Sequence, residues 1–306
     1  MRGSRIILAA VLCAAGCTAP RERAPEFDES AWRADLERWK SERAQRLASP
    51  DGWLTLVGLD WLEPGENRVG SGADCTVHLP DGRAPERIGS LWLAEGKVRF
   101  EPVPGLDLTI GDQPAQAGEL ATDASGSPDV VKLGDVSFHV IVRGQRFGVR
   151  VKDSQAPART TFAGLQYYPA DTAYRVIGRL RRHASPIEIA IPNVLGTEEP
   201  MRSPGVVEFD LNGERIDLVP VQADPEKPQL WFILRDGTSG HGTYPAGRFL
   251  YADLLPDDRV VLDFNRAQNP PCAFTPYATC PLPPRANWLN AAIAAGEKDF
   301  GHHGDA

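Results

Sequence analysis

An all-β, mainly antiparallel fold in two β domains is predicted by three observations. Short apolar runs of period two recur from Trp53 to Phe264, as in "DVSFHVIV", where Val136, Phe138, Val140 and Val142 alternate with more polar neighbours. Gly (29) and Pro (27) form nearly a fifth of the 306 residues and punctuate these runs, which disfavours long helices. Asn212-Gly213, inside "GVVEFDLNGERIDLVPV", supplies the two left-handed residues of a type I′ hairpin turn.

The chain opens outside the fold. "MRGSR", the apolar "IILAAVLCAAG" and small residues before Cys17 describe a signal peptide over 1–16. Ala14, Ala15 and Gly16 before Cys17 resemble a bacterial lipobox, so Cys17 is the expected lipidation site and membrane anchor, on the periplasmic side of a bacterial cell envelope. No later run reaches the roughly 20 apolar residues of a membrane span. The Pro-containing stretch 17–29 reads as a tether. A helix is expected over 30–50, capped by Asp28 or Ser30, with Trp32, Leu36 and Trp39 on one docking stripe.

Residues 51–153 form the first β domain. The order "EPGENRVGSGADCTVHLP", "GSLWLAEGKVRF", "LTIGDQ", "VKLGDVSFHVIV" resembles a forkhead-associated sandwich. The phosphothreonine-reading residues are missing: no Arg follows Gly70, no Ser-x-x-His follows Ile88, and "IGDQ" replaces Asn-Gly. Phosphopeptide binding is therefore excluded. His139 reads as an ordinary surface or edge histidine of its strand. Residues 154–300 form the second β domain. Its run 174–181 places Arg175, Arg179 and Arg181 on one solvated strand face. "ANWLNAAIAAGEKDF" is expected to end the fold as a helical tail stopped near Gly296, with 301–306 beyond it. A net charge of −8 argues against nucleic acid as a partner.

Chemistry concentrates near the C-terminus. "DGTSGHGTYPAGR" (236–248) holds four Gly among Asp236, Thr243, Tyr244 and Arg248. It lacks the Gly-Lys-Ser/Thr of a nucleotide loop. Asp236, Ser239 and His241 are the residue types of a hydrolase triad, without the Gly-x-Ser-x-Gly elbow. In "VVLDFNRAQNPPC", Asp263 and Asn265 point to one strand face, and polar groups there need partners or a function. Cys272 and Cys280 are expected as a disulfide in an exported chain. Zinc lacks nearby histidines, and a nucleophilic thiol would have only His241 as base. No metal or cofactor is called for.

The motifs "DGWLTLVGLDWLEPGENRVGS", "RGQRFGVRVKD", "DGTSGHGTYPAGRFL", "LDFNRAQNPPCAFTPYATCPLPPRANWL" and "AGEKDF" resemble domain-of-unknown-function family 1684, an uncharacterised bacterial and archaeal group. The resemblance implies that Asp236, Thr243, Tyr244, Gly247, Arg248, Asp263, Asn265, Asn269, Pro270, Cys272, Cys280, Pro281, Asn287 and Glu297 belong to the family signature. It implies no reaction.

Two functions follow. One is a small-molecule hydrolase with Asp236, His241, Tyr244, Arg248 and Asp263 as catalytic residues and Thr243, Asn265, Asn269 and Asn287 as ligand-binding ones. In it, the loop 236–248 and the segment 263–287 line one polar pocket, with Asp263 as the internal partner of Arg248. The other is a non-catalytic envelope binding or accessory protein, in which the same residues form a buried network that locks the domain.

Overall fold

The computed structural model describes residues 27–222 and 227–301. Cys17 and its leader lie outside the described residues. Helix α1 (Glu29–Leu47) is capped by Asp28, whose Oδ1 accepts the Ala31 N–H at 2.9 Å. It buries Trp32, Leu36 and Leu47.

The first β body contains β1 (Leu56–Trp61), β2 (Gly65–Gly70), β3 (Val77–His78), β4 (Gly89–Ala94), β5 (Lys97–Pro102), β6 (Thr109–Ile110), β7 (Gln113–Pro114), β8 (Gly118–Glu119), β9 (Val131–Leu133), β10 (Val136–Arg143) and β11 (Arg146–Asp153). One sheet runs β1-β11-β10-β9-β6-β7, the other β3-β2-β4-β5-β8. Phe100 and Phe138, edge to face with centroids 5.6 Å apart, fill the space between them with Leu91, Val140, Val149 and Val151. These are the alternate positions of each strand, so the period-two pattern is what makes a two-sheet sandwich.

The second body contains β12 (Arg175–Pro192), β13 (Glu198–Leu211), β14 (Glu214–Leu218), β15 (Gln229–Leu234), β16 (Arg248–Asp253) and β17 (Arg259–Asp263). A sheet β14-β13-β12-β17 and a ribbon β15-β16 share one core that includes Phe209, Phe232, Leu250, Leu262 and Phe264. Asn212 (φ 53°) and Gly213 (φ 83°) close the β13–β14 hairpin, as a type I′ turn requires. On β12, Gly178 and Leu180 are buried while Arg179 and Arg181 are exposed.

The outer face of β10 and β11 carries His139, paired in register with Arg150, and Ser137, paired with Lys152. This face meets the second body rather than water. Arg143 Nε and Arg150 Nη2 donate to Thr279 Oγ1 at 3.0 and 2.9 Å, and Thr275 Oγ1 donates to the Leu56 carbonyl at 3.0 Å. Leu47, Leu54, Ala273 and Phe274 complete the junction. The Pro-rich segment 270–284 is thus the joint where α1 and both β bodies meet.

The expected C-terminal helix is absent. Only a 3-10 turn, Arg285–Asn287, precedes an irregular, extended tail. Helical geometry would commit the tail's carbonyls to its own amides. Here Ile293 and Ala295 give theirs to Arg248, and Gly296 gives its own to Tyr168 N at 3.0 Å. Ile293 and Ala295 are buried in the second core. Gly296 has φ +78°, and a Cβ there would meet the carbonyl oxygens of Ala267 and Phe264, the latter at 2.7 Å. Gly296→Ala should therefore cost at least about 1–2 kcal/mol from the left-handed backbone alone. Urea unfolding checks this; an unchanged midpoint would mean that the tail does not follow this path.

Candidate functional site

β15 delivers Asp236 and β16 begins at Arg248, so the loop between them folds back on a buried ion pair. Arg248 Nη2 donates to Asp236 Oδ2 at 2.7 Å, with both side chains fully buried. The same Nη2 reaches the Ile293 carbonyl at 2.9 Å, and Nη1 binds the Ala295 carbonyl. The other Asp236 oxygen accepts from Thr238 N (2.8 Å), Thr238 Oγ1 (2.6 Å) and Ile293 N (3.2 Å). Thr243 Oγ1 lies 2.9 Å from Thr238 Oγ1. Both carboxylate oxygens are engaged by the chain itself.

Asp263 is not the partner of Arg248. Its Oδ2 accepts Trp32 Nε1 of α1 at 2.7 Å, and its Oδ1 accepts Asn265 Nδ2 at 2.9 Å. The register places Asp263 opposite Arg175, at the end of β17, where it caps the 3-10 turn Phe264–Arg266. Asn265 clamps the backbone N–H and C=O of Asp171, at 3.0 and 2.9 Å. Asn287 does the same for Val219 (2.8 and 2.9 Å) and also binds the Ile233 carbonyl. Asn269 N donates to Glu297 Oε2 at 2.7 Å, and its Nδ2 donates to the Lys298 carbonyl at 2.8 Å. These asparagines act as side-chain substitutes for strand partners.

His241 is exposed on the loop while Asp236 lies buried beneath, with both oxygens engaged elsewhere. Ser239 Oγ accepts Asp236 N at 3.2 Å. No triad is assembled. Tyr244 Oη donates to the Cys272 carbonyl at 3.1 Å, and burial pushes its phenol pKa up.

The expected disulfide is not formed. Cys272 and Cys280 are free thiols, and Cys280 Sγ accepts the Cys272 N–H at 3.1 Å. The adjacent Cys272 sulfur and then burial push the Cys280 thiol up.

The expected polar pocket lined by 236–248 and 263–287 does not take that form. Asp236, His241, Thr243, Tyr244, Arg248 and Asn287 line neither of two clefts that open nearby. One, of about 920 Å³, separates α1 from the second body and is lined by Trp32, Trp39, Arg175, Tyr251, Asp263 and Arg266. The other, of about 340 Å³, lies between the two β bodies and is lined by Trp53, Arg143, Arg150, Trp231, Tyr251, Asn269 and Cys280. Sequence reasoning missed Arg143, Arg150 and Trp53. A signal was present: Ile141, fully buried, sits on the strand face that a free sandwich would expose to water. His139 shares that face and is half-buried there. Burial, then the charges of Lys152 and Arg150, pull its pKa down to about 4.

Arg248→Met should destabilise the protein by about 3–5 kcal/mol, because Asp236 would stay buried without its counter-charge. The double variant Asp236→Leu/Arg248→Met should recover part of that loss. Urea midpoints of the three proteins test this, and an unaffected single variant would remove Arg248 from the scaffold. A second expectation concerns acid. The unfolded His139 titrates near 6.5 and the folded one near 4, so the unfolded chain binds the extra proton between those values. Stability is therefore unaffected by this group above about pH 6.5 and falls as pH drops towards 4. His139→Gln should flatten this part of the stability–pH curve; identical slopes in both proteins would reject the assignment.

The description "Protein of unknown function (DUF1684)" matches residues 160–298. No functionally curated protein matches the chain. Among solved structures, the solution NMR structure of an uncharacterised protein from gene locus rrnAC0354 of Haloarcula marismortui is 36% identical, over 47% of this chain and 81% of that one, with a TM-score of 0.40. The FHA domain of FhaA, solved with the intracellular domain of Rv3910, is 20% identical over 31% of this chain and 97% of its own, at a TM-score of 0.22. A further FHA structure, of Rv0020c, is 23% identical over 32% of this chain and 93% of its own, also at 0.22. The DUF1684 match spans most of the second β body, and by it this part of the chain belongs to the DUF1684 family.

Proposed function

We propose that the chain is a lipid-anchored small-molecule-binding protein of the bacterial cell envelope, and that the Asp236–Arg248 cluster is its structural lock and not a hydrolytic centre. One observation carries this reading. The Arg248 guanidinium is fully buried and holds a carboxylate and two carbonyls of its own chain. A catalytic arginine must reach substrate, and this one is enclosed. Open space lies instead at the seams, between α1 and the second body and between the two β bodies. Clefts between rigid bodies are the usual place for small ligands.

The envelope part rests on the leader and on Cys17 after Ala14-Ala15-Gly16. No described helix is long and apolar enough to cross a membrane; the anchor of this proposal is a lipid on Cys17.

Two measurements test the proposal together. Cys17→Ala should leave the leader uncleaved or move the protein out of the membrane fraction; normal processing with retention on the membrane overturns the anchor. The purified wild-type protein should not hydrolyse chromogenic esters or phosphoesters above background. Turnover that Asp236→Asn abolishes while the fold survives would return the cluster to catalysis.

A further inference from the structure

The cleft between the two β bodies contains a concentration of unmet hydrogen-bonding capacity. Among the described residues, four side-chain polar atoms are buried without a partner: Arg150 Nε, Trp231 Nε1, Arg248 Nε and Asn269 Oδ1. Three of these four belong to residues lining this one cleft. Native structures leave few such groups, and each calls for an explanation. Arg150 is the most costly of them. It is 8% exposed, and its one hydrogen bond among the described residues runs to the neutral Thr279 hydroxyl. No carboxylate among the described residues forms an ion pair with it, though the charge of Asp123 favours it from a distance. Asp123, the acid on this side of the seam, is held by Arg143 at 2.7 Å, and the cleft's third arginine, Arg43, is held by Glu297 at 2.9 Å. Burial and then the charge of Arg143 pull the Arg150 pKa down to about 10, which still leaves it charged at neutral pH.

One aromatic ring faces this guanidinium and three more line the cleft. Trp53 lies with its ring centroid 5.2 Å from the Arg150 Cζ. Tyr251 stacks on Trp231 at 5.8 Å and 10°, and Phe249 meets Trp231 edge-on at 5.0 Å. A buried, uncompensated cation among flat apolar walls is unfavourable to the fold by itself. It becomes favourable when an anion with an apolar body enters.

Building on the binding reading above, we propose that this cleft binds a small organic monocarboxylate bearing a flat aromatic or unsaturated group, with its carboxylate on Arg150 and its ring among Trp53, Trp231 and Tyr251. The charge count selects a monoanion. Arg143 and Arg43 already have acids, so one guanidinium is free, whereas a phosphate dianion would need more. The planar fork of arginine suits a carboxylate. A volume of about 340 Å³ suits a small ring with a short acidic arm. Trp231 Nε1 and Asn269 Oδ1 offer a donor and an acceptor for a polar substituent on that ring.

The test uses the full mature chain with benzoate, cinnamate and indole-3-acetate, and with acetate and inorganic phosphate as controls. Calorimetry and thermal unfolding are followed in wild type and in Arg150→Met. At least one aromatic carboxylate should bind the wild type and raise Tm by about 5 °C at roughly a hundred times its Kd; acetate and phosphate should not. Arg150→Met should weaken that binding at least tenfold while its ligand-free Tm stays level or rises, because an unpaired buried charge has gone. A lowered ligand-free Tm with unchanged affinity would make Arg150 a strut and overturn the proposal. If Arg150→Met does not fold, Thr279→Val serves in its place. It leaves the guanidinium but removes the hydroxyl that aims it, and binding should weaken severalfold; unchanged binding overturns the site. Failure of all three aromatic acids to bind at millimolar concentration overturns the ligand class but leaves the envelope-binding reading standing. Hydrolytic turnover would overturn that reading instead. Phosphate binding lost in Arg150→Met would replace the monocarboxylate by an inorganic anion.

Discussion

A single buried ion pair organises the second half of this protein. Arg248 holds Asp236 across the base of the 236–248 loop and, with the same guanidinium, holds the carbonyls of Ile293 and Ala295. The tail is thereby pinned in an extended path against the core. Two residues further on, Glu297 is fully buried and accepts from Asn269 N and from Arg43 of α1. The loop, the tail, the 263–287 segment and the N-terminal helix are connected through four charged side chains, Asp236, Arg248, Glu297 and Arg43. Breaking the first link would free the carbonyls of the tail and take the others with it.

Such an arrangement is a poor route to stability alone. Removing two charges from water costs several kcal/mol per ion, and apolar residues of the same volume often do as well. What the pair supplies is an answer to a backbone problem. The tail crosses the core without joining a sheet, so its amides and carbonyls need partners from side chains. Arginine offers five donors in a fixed plane and can serve two carbonyls and a carboxylate together. Asn265 and Asn287 solve the same problem elsewhere, each bonding both the N–H and the C=O of one irregular residue. The polar richness of this region is largely a substitute for missing β-ladders.

This explains what was legible in the sequence. The strands of the first body and the hairpin at Asn212-Gly213 announce themselves through period two and turn chemistry, which are local properties. So does α1, through Asp28 and the stripe Trp32, Leu36. The tail did not. Leu289, Ile293 and four alanines suit a helix locally, and only the distant guanidinium of Arg248 overrides that preference. The residues of the C-terminal cluster were legible as a group, because polar side chains on apolar strands need partners. Their pairing was not: the sequence favours Asp263 as the acid for Arg248, whereas the fold puts Asp236 there and Asp263 against Trp32. Cys272 and Cys280 show the same limit: spacing brings them together, but it does not decide that Sγ of one accepts the amide of the other.

Two buried arginines now separate architecture from opportunity. Arg248 and Arg150 are 0% and 8% exposed, so burial does not distinguish them. Their partners do. Arg248 has a carboxylate and two carbonyls, all from its own chain, and no open cleft among those described reaches it. Arg150 has one neutral hydroxyl, a tryptophan face and an open cleft. A charge whose hydrogen bonds are nearly complete has no free energy left to offer a ligand. A charge held in low dielectric without its counter-ion keeps that interaction in reserve, and the interaction is stronger there than in water. Asp236 and Arg248, which looked most chemical in sequence, have their hydrogen bonds taken up within the fold. Arg150, which the sequence offered only as part of the strand run "RFGVRVKD", is the one whose interaction the proposed ligand would use.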